Sequence, residues 1–215
     1  MKLISKNNEP TEWTLFRNTP GTDYESSPVL RQALYKEQGG ICAYCMKRLY
    51  DEFSGGVSSN KIEHIKARSQ CTRDERMQYK NMILCCSGIE NSNSPSATHC
   101  DTHRGNEDIG ISPLNPACIE SISYSRNGQI TSSNPEWNRD INDTLNLNHP
   151  ILVANRKSAI SGIIRFLGEK EVWKQSEIKA LIKSYESKDN NGLYKEYAAA
   201  LAYKLNKWLA VKMAQ

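Results

Sequence analysis

The apolar positions change their period along the chain, and the changes outline its elements. Residues 1–27 keep no period, with Pro10, Pro20 and Gly21 interrupting any that starts, and are expected to be irregular. Ser27 suits an N-cap and Pro28 a first turn; Val29, Leu30, Ala33 and Leu34 then recur at helical spacing until Gly39-Gly40. Ile41 to Leu49 predicts a tight turn flanked by short strands, Ser54 to Ser59 a loop, and Lys61 to Ile65 a short strand. Residues 75–86 start as helix and end at the pair Cys85-Cys86, and the polar stretch Asn91 to Thr98 is a loop. Ile119 to Tyr124 and Gln129 to Thr131 flank Asn127-Gly128, a strong hairpin signal. From Pro135 onward the pattern is helical. One face carries Ile160, Ile163, Ile164 and Leu167 up to Gly168; a second carries Ile178, Leu181, Ile182 and Tyr185; a third carries Tyr194, Tyr197, Ala198, Leu201, Leu205 and Trp208. Such stripes belong to a packed core. The expected class is α+β, organised as an irregular segment 1–27, a mixed domain 28–115, and a hairpin with a helical region over 116–215.

With 215 residues the chain can bury one substantial core or two small ones. The start holds no apolar stretch of signal-peptide length, and nowhere do about 18 apolar residues run together, so the expected location is the cytoplasm, away from membranes. Disulfides are rare there, and the seven cysteines (Cys42, Cys45, Cys71, Cys85, Cys86, Cys100 and Cys118) then point to metal binding. The net charge of +4 says little, but its distribution says more: residues 1–155 carry 16 Lys+Arg against 18 Asp+Glu, and residues 156–215 carry 12 against 6. The cationic surplus lies outside the cysteine-rich segment. A basic face attracts phosphates, although a charged helix face is more often only solvated.

Two constellations carry chemistry. Cys42-Ala43-Tyr44-Cys45 is a CxxC behind Gly39-Gly40, which permit the turn of a zinc knuckle. Cys85, Cys86, His99 and Cys100 are the candidates for the two remaining ligands; buried free thiols and a redox CxxC are the competing readings. The second constellation is Glu63-His64 at the end of the strand over Ile62 to Ile65, with Asn81 before an apolar turn and Cys100-Asp101-Thr102-His103-Arg104-Gly105-Asn106 closing the region. Phosphodiester hydrolysis needs a base of near-neutral pKa, a hard cation on oxygen ligands and a cationic side chain for the phosphate. His64, the carboxylates of Glu63 and Asp101, and Arg104 match these needs. Strict alternation would send Glu63 and His64 to opposite faces, so the strand must end or bend there.

The order CxxC, acidic-His, Asn followed by apolar residues and Cys, then Cys-x-x-x-basic-Gly resembles HNH nucleases with a four-cysteine zinc site. The likeness is strongest to the PtuB-type nuclease subunits of Septu antiphage defence, also found beside retrons. It spans roughly residues 28–165, including Gln38-Gly39-Gly40-Ile41-Cys42-Ala43-Tyr44-Cys45, the hairpin from Ser123 to Ile130, and Leu145-Asn146-Leu147-Asn148. The resemblance implies a zinc-stapled ββα-metal core inside a mostly α-helical protein. It assigns the zinc to Cys42, Cys45, Cys86 and Cys100, and a Mg²⁺ or Mn²⁺ ion to Glu63 and Asp101, with His103 as the alternative to Asp101. It makes His64 the general base and Asn81 the residue that fixes the loop presenting it. It implies cleavage of nucleic acid, DNA favoured, and as partners a PtuA-type ATPase and, beside retrons, a reverse transcriptase with its RNA/DNA. A non-catalytic zinc module that binds nucleic acid or a protein is the alternative reading.

Overall fold

The computed structural model describes residues 1–50, 59–89 and 97–213; of the loops expected over 54–59 and 91–98, residues 54–58 and 91–96 lie outside them. Helix α1 (Thr11–Arg17) forms inside the stretch expected to be irregular. Its reason is tertiary: Trp13 is buried and its indole N–H donates to the Met77 carbonyl at 3.0 Å, an anchor that no local period reveals. Helix α2 (Pro28–Glu37) starts as expected, with the Ser27 hydroxyl accepting from the Leu30 N–H at 3.2 Å.

Strand β1 (Lys61–His64) pairs antiparallel with β2 (Met82–Cys85), Glu63 opposite Ile83 and His64 opposite Met82. Between them stands α3 (Arg73–Met77), closed at its start by a capping box between Thr72 and Glu75. The helix expected over 75–86 is therefore earlier and shorter, and Met82–Cys85 is strand instead. All four strand residues are buried, so the segment shows no alternation, and a short apolar run of this kind reads equally as helix or strand. After β2 comes α4 (Cys100–Arg104). The turn at Ile41 to Leu49 is closed by a single bridge, Ile41 to Arg48, in place of two short strands.

Helix α5 (Pro116–Glu120) takes the first residues of the expected Ile119 strand; β3 (Ile122–Tyr124) and β4 (Ile130–Ser132) then form the hairpin. Gly128 is required at its turn: φ is +88°, and a Cβ there would lie 2.2 Å from the Val153 carbonyl. Helix α6 (Pro135–Arg139) and a π-helical turn (Asp140–Thr144) lead to α7 (Pro150–Gly168), α8 (Gln175–Glu186) and α9 (Ala198–Met213). The third stripe is thus helical only from Ala198. Tyr194 and Tyr197 precede the helix and dock on the cysteine turn, donating backbone N–H groups to Gly39 O at 2.9 Å and Met46 O at 3.2 Å.

One core gathers Met1, Ile4, Trp13, α2, the cysteine turn, β1–β2 and the β3–β4 hairpin; a second, smaller one lies between α7, α8 and α9. The mixture of helices with two small antiparallel sheets is α+β. No helix among the described residues is long and apolar enough to cross a membrane.

Candidate active site

The cysteine turn is built by Gly40 accepting from the Leu49 N–H and Lys47 from the Cys42 N–H, both at 2.9 Å, with Met46 at φ +64°. It is pinned to β2 by Gln38, whose side chain donates to Leu84 O and accepts from Leu84 N, both at 2.7 Å. Cys86 leaves β2 and Cys100 opens α4, held by its own N–H on Leu145 O at 2.8 Å. The Sγ atoms of Cys42, Cys45, Cys86 and Cys100 consequently lie within 4.8 Å of one another, with Cys42 to Cys100 at 3.9 Å and Cys45 to Cys86 at 3.7 Å. A tetrahedral zinc with Zn–S bonds of about 2.3 Å has S···S edges of about 3.8 Å, so the donor set fits a structural zinc. Burial pushes the Cys45 and Cys100 thiols up, which a divalent cation would reverse. Cys85, on β2, stands outside this group. The His99 ring sits 3.2 Å from Cys100 Sγ through Nδ1, placed to hydrogen-bond a ligand sulfur.

On the other side of α4, an open cavity of about 560 Å³ is lined by Tyr24, Arg31, Lys61, Glu63, His64, Arg68, Asp101 and Arg104, among others. Glu63 and His64 both line it, as do Lys61 and Ile62 before them on β1. The Nε2 of His64 lies 2.9 Å from the carbonyl oxygen of Arg76. A carbonyl only accepts, so Nε2 carries the hydrogen and the neutral ring keeps its lone pair on Nδ1. Burial lowers the pKa of this imidazole, the direction that keeps it neutral. Asn81 ties the following loop: its Oδ1 accepts from the Lys66 N–H at 2.9 Å, and its Nδ2 donates to Glu75 O at 3.3 Å.

Glu63 is pushed up to about 8, first by burial and then by the adjacent Asp101. Two neighbouring carboxylates on a polar cavity are hard oxygen donors of the kind that hold Mg²⁺ or Mn²⁺. His103 is not with them; its Nδ1 meets the Thr98 hydroxyl at 3.0 Å, away from the cavity lining.

Arg104 departs from the phosphate-holding geometry expected of it. It is 2% exposed and four of the five N–H groups of its guanidinium are engaged: Nη1 donates to Glu63 Oε1 and to His64 O at 2.9 Å, Nη2 to Ile65 O at 2.8 Å, and Nε to Glu107 O at 2.7 Å. It ties β1 to α4. An exposed cation of the cavity is Arg68, at the start of the 3-10 turn Arg68–Gln70, with no carboxylate paired to it among the described residues and its guanidinium 5.8 Å from the Tyr24 ring centre. Arg68 was visible in the sequence only as one of several basic residues after His64, while Tyr24 and Arg31 stand in no motif and carried no signal.

No protein-family model matches the chain. It is similar to a protein of Vibrio cholerae serotype O1 biovar El Tor named as a candidate HNH endonuclease of retron Vc95. The two are 26% identical over 183 residues, covering 76% of this chain and 84% of that protein. The similarity supports a relationship to the HNH endonucleases, and with it a nuclease.

Proposed function

We propose that this chain is a metal-dependent HNH nuclease that hydrolyses phosphodiester bonds in nucleic acid, DNA favoured. The observation that supports the reading most is that His64 lines the same cavity as Glu63 and Asp101 while its Nε2–H is committed to Arg76 O, so that the lone pair of the neutral ring stays on Nδ1. In this reading Nδ1 takes the proton of the attacking water, and the imidazolium so formed is held in place by the same carbonyl. Glu63 and Asp101 hold the Mg²⁺ or Mn²⁺ ion, which supplies neutralisation of the charge that builds on the phosphate and leaving oxygen. Arg68 takes the phosphate-binding role, because Arg104 is consumed in holding β1. Asn81 acts by fixing the loop between β1 and α3, and the zinc at Cys42, Cys45, Cys86 and Cys100 fixes α4 and hence Asp101.

We further assign the protein to PtuB-type effector subunits of a Septu-like antiphage complex with a PtuA-type ATPase. The sequence resemblance supports this, and the retron in its relative's name favours a setting that includes a reverse transcriptase with its RNA/DNA. The direct test is incubation of the zinc-loaded protein, alone and with the ATPase, on DNA and RNA with Mg²⁺, Mn²⁺ or EDTA. Cleavage that EDTA abolishes is expected. Tight binding without cleavage under every condition would leave the zinc module that only binds.

A further inference from the structure

Imidazole rotation about Cβ–Cγ is soft, since torsions of this kind have broad wells. One hydrogen bond at Nε2 limits this rotation at one point of the ring, and a contact from the side limits it further. The end of α3 uses two successive carbonyls for this region. Arg76 O accepts from His64 Nε2 at 2.9 Å, and Met77 O accepts from Trp13 Nε1 at 3.0 Å. The Tyr24 ring stands between the two side chains so anchored. It meets His64 edge to face, with centroids 4.6 Å apart at 83°, and Trp13 at 6.3 Å and 69°. The loop that carries Tyr24 is fastened to the same helix. Asp23 accepts from Arg76 Nε at 3.2 Å and Nη2 at 2.7 Å, and Arg73 donates to Thr22 O at 2.8 Å and to Arg17 O at 2.9 Å. Arg76 thus serves both ends of the arrangement, its carbonyl taking His64 and its guanidinium taking the residue before Tyr24.

We propose that Tyr24, carried in by the segment between α1 and α2, is a positioning residue for His64: its ring limits the rotation that would swing Nδ1 away from the attacking water. The inference rests on the reading of His64 as the base. The contact is made by the ring and not by the hydroxyl, so phenylalanine should replace it. A base displaced by about 1 Å loses on the order of 100-fold in rate, which sets the scale of the expected loss.

The test uses the zinc-loaded full chain with Tyr24→Phe, Tyr24→Leu and Tyr24→Ala, and two readouts. One is steady-state cleavage of a fluorescein-labelled oligonucleotide that the wild type cuts. The other is the pair of ¹⁵N resonances of the His64 ring, which report where its hydrogen sits, recorded where imidazole is neutral. Tyr24→Phe should match the wild type within about twofold, while Tyr24→Leu and Tyr24→Ala lower kcat by about 10- to 100-fold with KM nearly constant. In those two variants the ¹⁵N resonances should also move toward each other, as the ring loses its fixed partner. Unchanged kcat in Tyr24→Ala, or a raised KM at constant kcat, would overturn the proposal; the latter would make Tyr24 a substrate contact. Equal damage from Tyr24→Phe and Tyr24→Ala would also overturn it. If the wild type cuts neither DNA nor RNA, the nuclease reading fails, and the ¹⁵N pattern still decides the positioning: convergence upholds it, an unchanged pattern sinks it.

Discussion

Arg104 donates from Nη1 to the backbone carbonyl of His64 at 2.9 Å, so the strand residue that faces the cavity is held from beneath by the helix that carries Cys100 and Asp101. The same nitrogen bonds Glu63, and both partners are buried. Removing one member of a buried, hydrogen-bonded pair strands the other, at a cost of about 3–5 kcal/mol. Arg104→Ala should therefore lower stability on that scale in urea unfolding of the zinc-loaded protein. Arg104→Lys should recover only part of it, because an ammonium cannot span four acceptors. A phosphate-binding arginine would behave otherwise, losing substrate affinity with stability intact.

Zinc binding would separate the cysteines. One zinc per chain is expected by elemental analysis, with Cys45→Ser losing the metal and the folded cysteine turn. Cys85→Ser should keep the zinc, since that thiol lies outside the tetrahedron. Zinc-free protein with an intact fold would refute the staple.

Glu63 gives a pH dependence whose sign follows from its direction. Its carboxyl is raised from 4.5 to about 8 by burial and by Asp101 in the cation-free chain. A group raised in the folded state contributes stability that is fully present below its unfolded value and lost as pH rises through the folded one. Without added divalent cation, the thermal midpoint should therefore fall as pH rises from about 4.5 to about 8 and level off above. Mg²⁺ should restore part of the loss at the upper end, and Asp101→Asn should flatten the trend. A midpoint that Mg²⁺ leaves unmoved at high pH would argue against an ion on these two carboxylates.

The cysteine cluster was legible because a CxxC calls for two further ligands and the resemblance pointed to Cys86 and Cys100, and the four sulfurs do converge. Glu63, His64 and Asp101, singled out as a carboxylate-imidazole constellation, line one cavity. The burial of Arg104 and its pairing with Glu63 were not legible, because composition shows a cation but not its surroundings. The π-helical turn and α1 escaped because each exists for a distant partner: Asp140 accepts from Gly110 N and Ile111 N at 2.7 and 3.0 Å, and Trp13 caps Met77. Tyr24 is 40 residues from His64 in sequence, and no spacing rule joins them.

The docking of residues 194–197 on the cysteine turn has its own test. Gly39 lies at φ +60°, and a Cβ there would be 2.5 Å from the Tyr194 ring. Gly39→Ala should cost about 1–2 kcal/mol from backbone conformation alone, plus the displacement of Tyr194. The loss should appear as a lower midpoint in denaturant and as faster proteolysis ahead of α9.

Single-turnover cleavage by His64→Ala tests whether His64 is the base. With zinc content, unfolding midpoint and oligonucleotide affinity matched to the wild type, the variant should lose cleavage by a factor of about 100 or more. Cleavage at the wild-type rate would contradict the account.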